Sequence, residues 1–194
     1  MVSSRRLARL GGFAAILGGL AWVVKSVGIL ITGDQPPVVF ELGPPLFAVG
    51  LIGLHARLEG RGGRAAEAGL VLACVTIALS LVMLLAWVFA RELLPAGEDE
   101  FTPMSLVIAG ASLSFVAALV LLGAATRRVQ ALPTPWKAVP LAMGILIVPG
   151  IAIGGILSQL NERLLEIPLV AFALAWVLTG YLIWSPGGRE PDHV

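Results

Sequence analysis

The sequence predicts an all-α integral membrane protein, a six-transmembrane-helix bundle with both termini in the cytoplasm. Three observations predict it. Of the 194 residues, 58% are hydrophobic and 13% charged, which lies outside the usual range of a soluble globular domain. Apolar runs at 10–31, 38–58, 66–90, 104–125, 140–157 and 164–184 each meet or nearly meet the ~20 residues that a spanning helix needs. Charge is also sorted between the connections. The N-terminus and the second and fourth connections hold Arg5, Arg6, Arg9, Arg57, Arg61, Arg64, Arg127, Arg128 and Lys137. The other three hold Asp34, Glu41, Glu92, Glu98, Asp99, Glu100, Glu162 and Glu166, against Arg91 and Arg163. Basic residues collect on the cytoplasmic side of membrane proteins, so the alternation orients every span.

The first run, 10–31, follows Ser4-Arg5-Arg6-Leu7 and so resembles a twin-arginine or secretory leader. Its apolar stretch is longer than a leader's, so it is expected to remain as a span. Gly33-Asp34 and Pro36-Pro37 break the chain before the second run, 38–58, which contains Glu41, Pro44-Pro45 and His55. The third, 66–90, carries Cys74, the one cysteine, whose simplest role is that of a small apolar packing residue. Pro95, Gly97 and Pro103 separate it from the fourth, 104–125. The fifth, 140–157, has Pro149-Gly150 and Gly154-Gly155 near its centre. The sixth, 164–184, begins at Glu166 and leads to a cytoplasmic tail, 185–194. Short connections make consecutive helices antiparallel neighbours in one polytopic domain, 1–194. Trp136, Tyr181 and Trp184 on one side and Trp87 on the other fall where amphipathic rings anchor a span.

Small residues recur every four positions in three rows: Gly11, Ala15, Gly19; Gly110, Ser114, Ala118; and Ala171, Ala175, Thr179. Helices in lipid associate through close backbone approach, so these rows are expected to face one another or a second copy. A constant offset also relates Glu41 and Phe47-Ala48 to Glu166 and Phe172-Ala173, and Gly19 to Gly144. Duplicated hairpins of this kind occur in transporters, and composition this rich in Ala, Gly, Leu and Val also produces such matches by chance.

Lys25 is the charged residue deepest within a span, about 7 Å outward of its middle at ~1.5 Å per residue. A charge there costs about 2.5–3.5 kcal/mol on insertion scales and commonly marks a functional position. Two carboxylates lie at comparable depth, Glu41 on the adjacent helix and Glu166 on the last one. Lys25 is expected either to snorkel, to form a structural pair with one of them, or to build a ligand or ion site with both. Pro149, with Gly150, is the candidate hinge, since proline removes a helical hydrogen bond and clashes with the preceding turn. Trp22 and Trp176 sit near mid-span, where a buried indole N–H seeks an acceptor such as Thr179, Ser114, Thr76 or Ser80.

No catalytic residue, metal site or cofactor is expected. His55 and His193 are too few and too far apart for a haem pair or catalytic zinc. Gly110-Ala111-Ser112-Leu113-Ser114 lacks the last glycine of a nucleophile elbow, and there is no phosphate-binding loop. Nucleic acid is not an expected partner, because the arginine pairs are accounted for by orientation. Expected partners are membrane lipids and further copies or other membrane subunits. Usage of Ala, Gly, Leu, Val and Arg resembles a high-GC bacterial coding bias, which places the chain in a bacterial plasma membrane. The function expected is that of a non-enzymatic accessory or scaffold component. The alternative is a small-solute or ion transporter using Lys25, Glu41, Glu166 and the Pro149 kink.

Overall fold

The structure is a computed structural model describing residues 4–34, 36, 39–94 and 101–185, with backbone alone at 39 and 40. Among these residues it is all-helical: α1 (Ser4–Thr32), α2 (Val39–Arg57), α3 (Gly63–Phe89), α4 (Pro103–Val129), α5 (Val139–Ser158) and α6 (Glu166–Trp184). Short 3-10 turns at Arg91–Leu93, Trp136–Ala138 and Glu162–Leu165 lie between them. Five stretches are long and apolar enough to cross a membrane, namely α1, α3, α4, Trp136–Ser158 and Glu162–Trp184. That is compatible with a multi-pass membrane protein. The connection residues Pro37, Pro95, Gly97, Glu98, Asp99 and Glu100 lie outside the described residues, as does the tail from 186 with Arg189, Glu190, Asp192 and His193.

Helix and apolar run do not coincide everywhere. α1 starts six residues before the apolar run, because Arg5, Arg6 and Arg9 suit a helix although they end hydrophobicity. α4 likewise continues through Arg127 and Arg128, cations favoured in the last turn, and stops at Gln130 in the left-handed conformation. Thr102 starts α4 through a capping box in which its backbone N–H donates to Ser105 Oγ at 3.1 Å. The turn from α2 to α3 takes positive φ at Glu59 and Gly60. A Cβ on Gly60 would meet nothing within 4 Å, so glycine is favoured there by its φ of 78° rather than by space.

Packing follows chain order around a ring. α1 packs on α2 and α6, and α2–α3, α3–α4, α4–α5 and α5–α6 complete the circuit. α2 also reaches α4 and α6, and its Ala48, Leu51 and Leu54 are fully buried in the core. Glycine allows the closest approaches. A Cβ on Gly11 would run into Gly53 of α2, and one on Gly12 would lie 2.7 Å from the Gly180 carbonyl of α6. One turn-pair further on, a Cβ on Gly18 would press on Phe47 and one on Gly19 would lie 2.8 Å from the Ala173 carbonyl. α1 therefore presents two glycine faces, one to α2 and one to α6.

α5 is set differently. Gly123 of α4 lies against Pro140 and Leu141 at the start of α5, and a Cβ on Gly144 would sit 2.8 Å from Val120. At its other end α5 meets α6, where a Cβ on Gly154 would touch Leu165 at 3.0 Å and Pro168 at 3.1 Å. α5 thus leans from α4 towards α6 and leaves a gap on either flank. The row Ala171, Ala175, Thr179 does not pack tightly throughout as expected. Thr179 is buried, but Ala171 is exposed and, with Ala175, lines the gap between α5 and α6. Cys74 is exposed on α3 rather than packed, since the inward side of that helix is taken by Gly69, Ala73, Thr76 and Ser80.

Candidate functional site

The ion pair lies where the first and last helices meet. Lys25 Nζ donates to Glu166 Oε1 at 2.7 Å, and both residues are 5% exposed. α6 reaches Lys25 because the glycine face at Gly12 and Gly19 admits its backbone closely. Glu166 is in the first turn of α6, where unpaired N–H groups and the helix dipole favour a carboxylate. Lys25 Nζ is also 5.8 Å from the Trp22 ring centre, within cation–π range. Lys25 does not snorkel; it is spent inside the bundle. Breaking such a pair costs more than replacing it whole, because a lone buried charge has nothing to solvate it.

Glu41, the other predicted carboxylate, belongs to the first turn of α2. It is partly buried, and its Oε2 has no hydrogen-bond partner. Pro149 lies inside α5 with its ring exposed, while Gly150 faces the α5–α6 gap. The helix runs on through Pro149, which lacks an N–H for the Ile145 carbonyl. The structure brings Lys25 and Glu166 together and keeps Pro149 on another helix.

Below the ion pair the rings of Trp22, Phe47, Phe115, Phe172 and Trp176 form one cluster. Phe47 stacks on Trp176 at 5.2 Å and 15°, and meets Trp22 edge-on at 5.3 Å and 74°. Phe172 meets Phe47 at 6.1 Å and 83°. The indole Nε1 of Trp176 has no hydrogen-bond partner, contrary to expectation. The hydroxyls named for it are engaged elsewhere or unpartnered. Thr179 donates to Met143 sulfur at 3.4 Å, Thr76 donates to the Leu72 carbonyl at 2.8 Å and shares a 3.0 Å bond with Ser114, and Ser80 Oγ has no partner. Ring stacking, not an acceptor, holds Trp176.

A cavity of about 200 Å³ adjoins this cluster, walled by residues of all six helices, among them Trp22, Phe47, Thr76, Ser80, Phe115 and Phe172. A second, of about 330 Å³, fills the gap between α5 and α6. Ile147, Ile151, Leu169 and Phe172 border both.

Three arginine contacts were not anticipated. Arg163 donates to the Ile31 and Thr32 carbonyls at 3.3 and 3.4 Å, closing the C-terminus of α1. Arg57 donates to the Ser185 carbonyl at 3.1 Å after the end of α6. Arg91 donates to the Trp87 carbonyl at 3.0 Å and lies 4.5 Å from its ring. Cations suit helix C-termini, so the exceptions to the charge pattern both serve helix ends, Arg91 that of its own α3 and Arg163 that of the distant α1. Among the described residues no group of three or more His, Cys, Asp or Glu could hold a metal ion. Compared with protein-family models, curated proteins and solved structures, the chain matches none.

Proposed function

We propose that this chain is a bacterial plasma-membrane protein of six spanning helices, with both termini cytoplasmic, that acts without catalysis as an accessory or scaffold component. The observation that carries the reading is the Lys25–Glu166 pair, a deep charge consumed by the chain's own last helix. Thr76 with Ser114 and Thr179 with Met143 are likewise matched internally. Polar groups committed to one another favour a packing role over a reacting one. α2 completes the six, since its 19 residues end in His55 and Arg57 on the arginine-rich side. The reading expects the protein to sit beside other chains, its own copies or different membrane subunits. Extraction in native-lipid discs should recover an assembly of defined mass. Recovery of isolated single chains would count against the reading.

A carrier is the second reading, favoured by the unpartnered Glu41 Oε2 and by the gaps beside α5 around Gly150. Proteoliposomes under an imposed proton or potassium gradient should leak no faster than protein-free vesicles. A flux that Glu41→Gln abolishes would replace the scaffold with the carrier.

A further inference from the structure

We infer that the central cavity is a binding site for a neutral, ring-bearing isoprenoid of the membrane, a quinone-type molecule, entering sideways along α5. The lean of α5 opens a route on each flank, and both routes converge on Ile147, Ile151, Leu169 and Phe172. Ser112 and Ile151, on the wall of the central cavity, are exposed at the surface of the bundle. The two voids together fall within the ~300–1,000 Å³ of small-molecule sites.

The lining selects the chemistry. No residue among those described that line either void is charged, which disfavours an ionic solute. Aromatic faces and edges favour a flat ring, because rings prefer offset or edge-to-face contacts with other rings. Ser80 supplies a buried, unmet polar demand. It is 2% exposed, lies on the cavity wall, and its Oγ has no hydrogen-bond partner. A ring carbonyl would accept its O–H, while the prenyl tail would lie in the apolar gap between α5 and α6. The site needs only the membrane setting of the helices, so its failure would leave the scaffold reading untouched.

The probe is a ubiquinone with two isoprene units, titrated into the purified full chain in lipid nanodiscs while tryptophan fluorescence is followed. Trp22 on the wall should be quenched saturably. Ser80→Ala should weaken binding about three- to tenfold, the worth of one hydrogen bond. Ala111→Leu, which fills the cavity, should abolish saturation, and Leu113→Ala on the exposed face should change nothing. Linear quenching, which signals partition into lipid alone, would overturn the proposal. So would saturation indifferent to Ser80→Ala, a variant that removes a single atom and needs no refolding of its surroundings. Equal displacement by geraniol or oleate would overturn the ring and leave only an acyl-chain groove.

Discussion

Lys25 and Glu166 neutralise each other at 2.7 Å with almost no exposure, and that geometry determines what each substitution does. Lys25→Met leaves the Glu166 carboxylate without its cation and Glu166→Gln leaves the Lys25 ammonium without that carboxylate, each expected to cost about 3–5 kcal/mol. Replacing both with apolar residues removes charge from both sides, so the double variant should recover most of the loss. A double-mutant cycle on unfolding in detergent measures the coupling, and additive losses would refute the pair. The same cycle between Lys25 and Glu41 should show no comparable coupling. The depth of Lys25 could be counted along the sequence, as could the depth of both carboxylates. Which carboxylate it meets could not, because adjacency in the chain pointed to α2 while the partner belongs to a helix 141 positions away. The sign of Arg163 was visible too, but its work on the Ile31 and Thr32 carbonyls depends on a contact between distant turns.

Helix faces can be tested through bulk. Gly19 has the Ala173 carbonyl and Val177 beside it, and Ser114 is buried against Thr76, so a leucine at either position overpacks the interface. Gly19→Leu and Ser114→Leu should each lose about 1–3 kcal/mol of stability. Leu20→Ile, on the exposed side of α1, should lose far less. Thermal unfolding in detergent compares the three, and equal tolerance would show that these faces make no contact. The row at Gly110, Ser114, Ala118 was legible because small residues repeat at helical spacing. The row at Gly11, Ala15, Gly19 is divided between two partners, Gly11 and Ala15 facing α2 while Gly19 joins Gly12 against α6, a division that spacing alone does not reveal. Ala171 failed to pack because the lean of α5 draws its partner away, and no periodicity within α6 records the tilt of a neighbour.

For the whole molecule, orientation is the property that charge alone predicts. A reporter enzyme active only in the cytoplasm should be active when fused after Val194 or within 60–64, and silent within 97–100. Activity at 97–100 would mean that a span is miscounted or that the first is removed. The number and order of helices were readable from hydrophobicity, because each apolar run outlasts what a core helix needs. The ring closure between α1 and α6, and the two voids beside α5, arise from how helices lean on one another. Composition carries no trace of that.

The closure of the ring has a consequence in time. Ribosomes add about 5–20 residues each second, so roughly 7–28 s separate the synthesis of Lys25 from that of Glu166, 141 positions later. Throughout that interval the ammonium group is in or near the membrane with its carboxylate not yet made. Until α6 is delivered, Glu41 is the carboxylate of comparable depth already synthesised beside it. The pair that holds α1 to α6 therefore forms only once α6 has been made, so the contact between these two helices is a late event in assembly however early α1 is inserted.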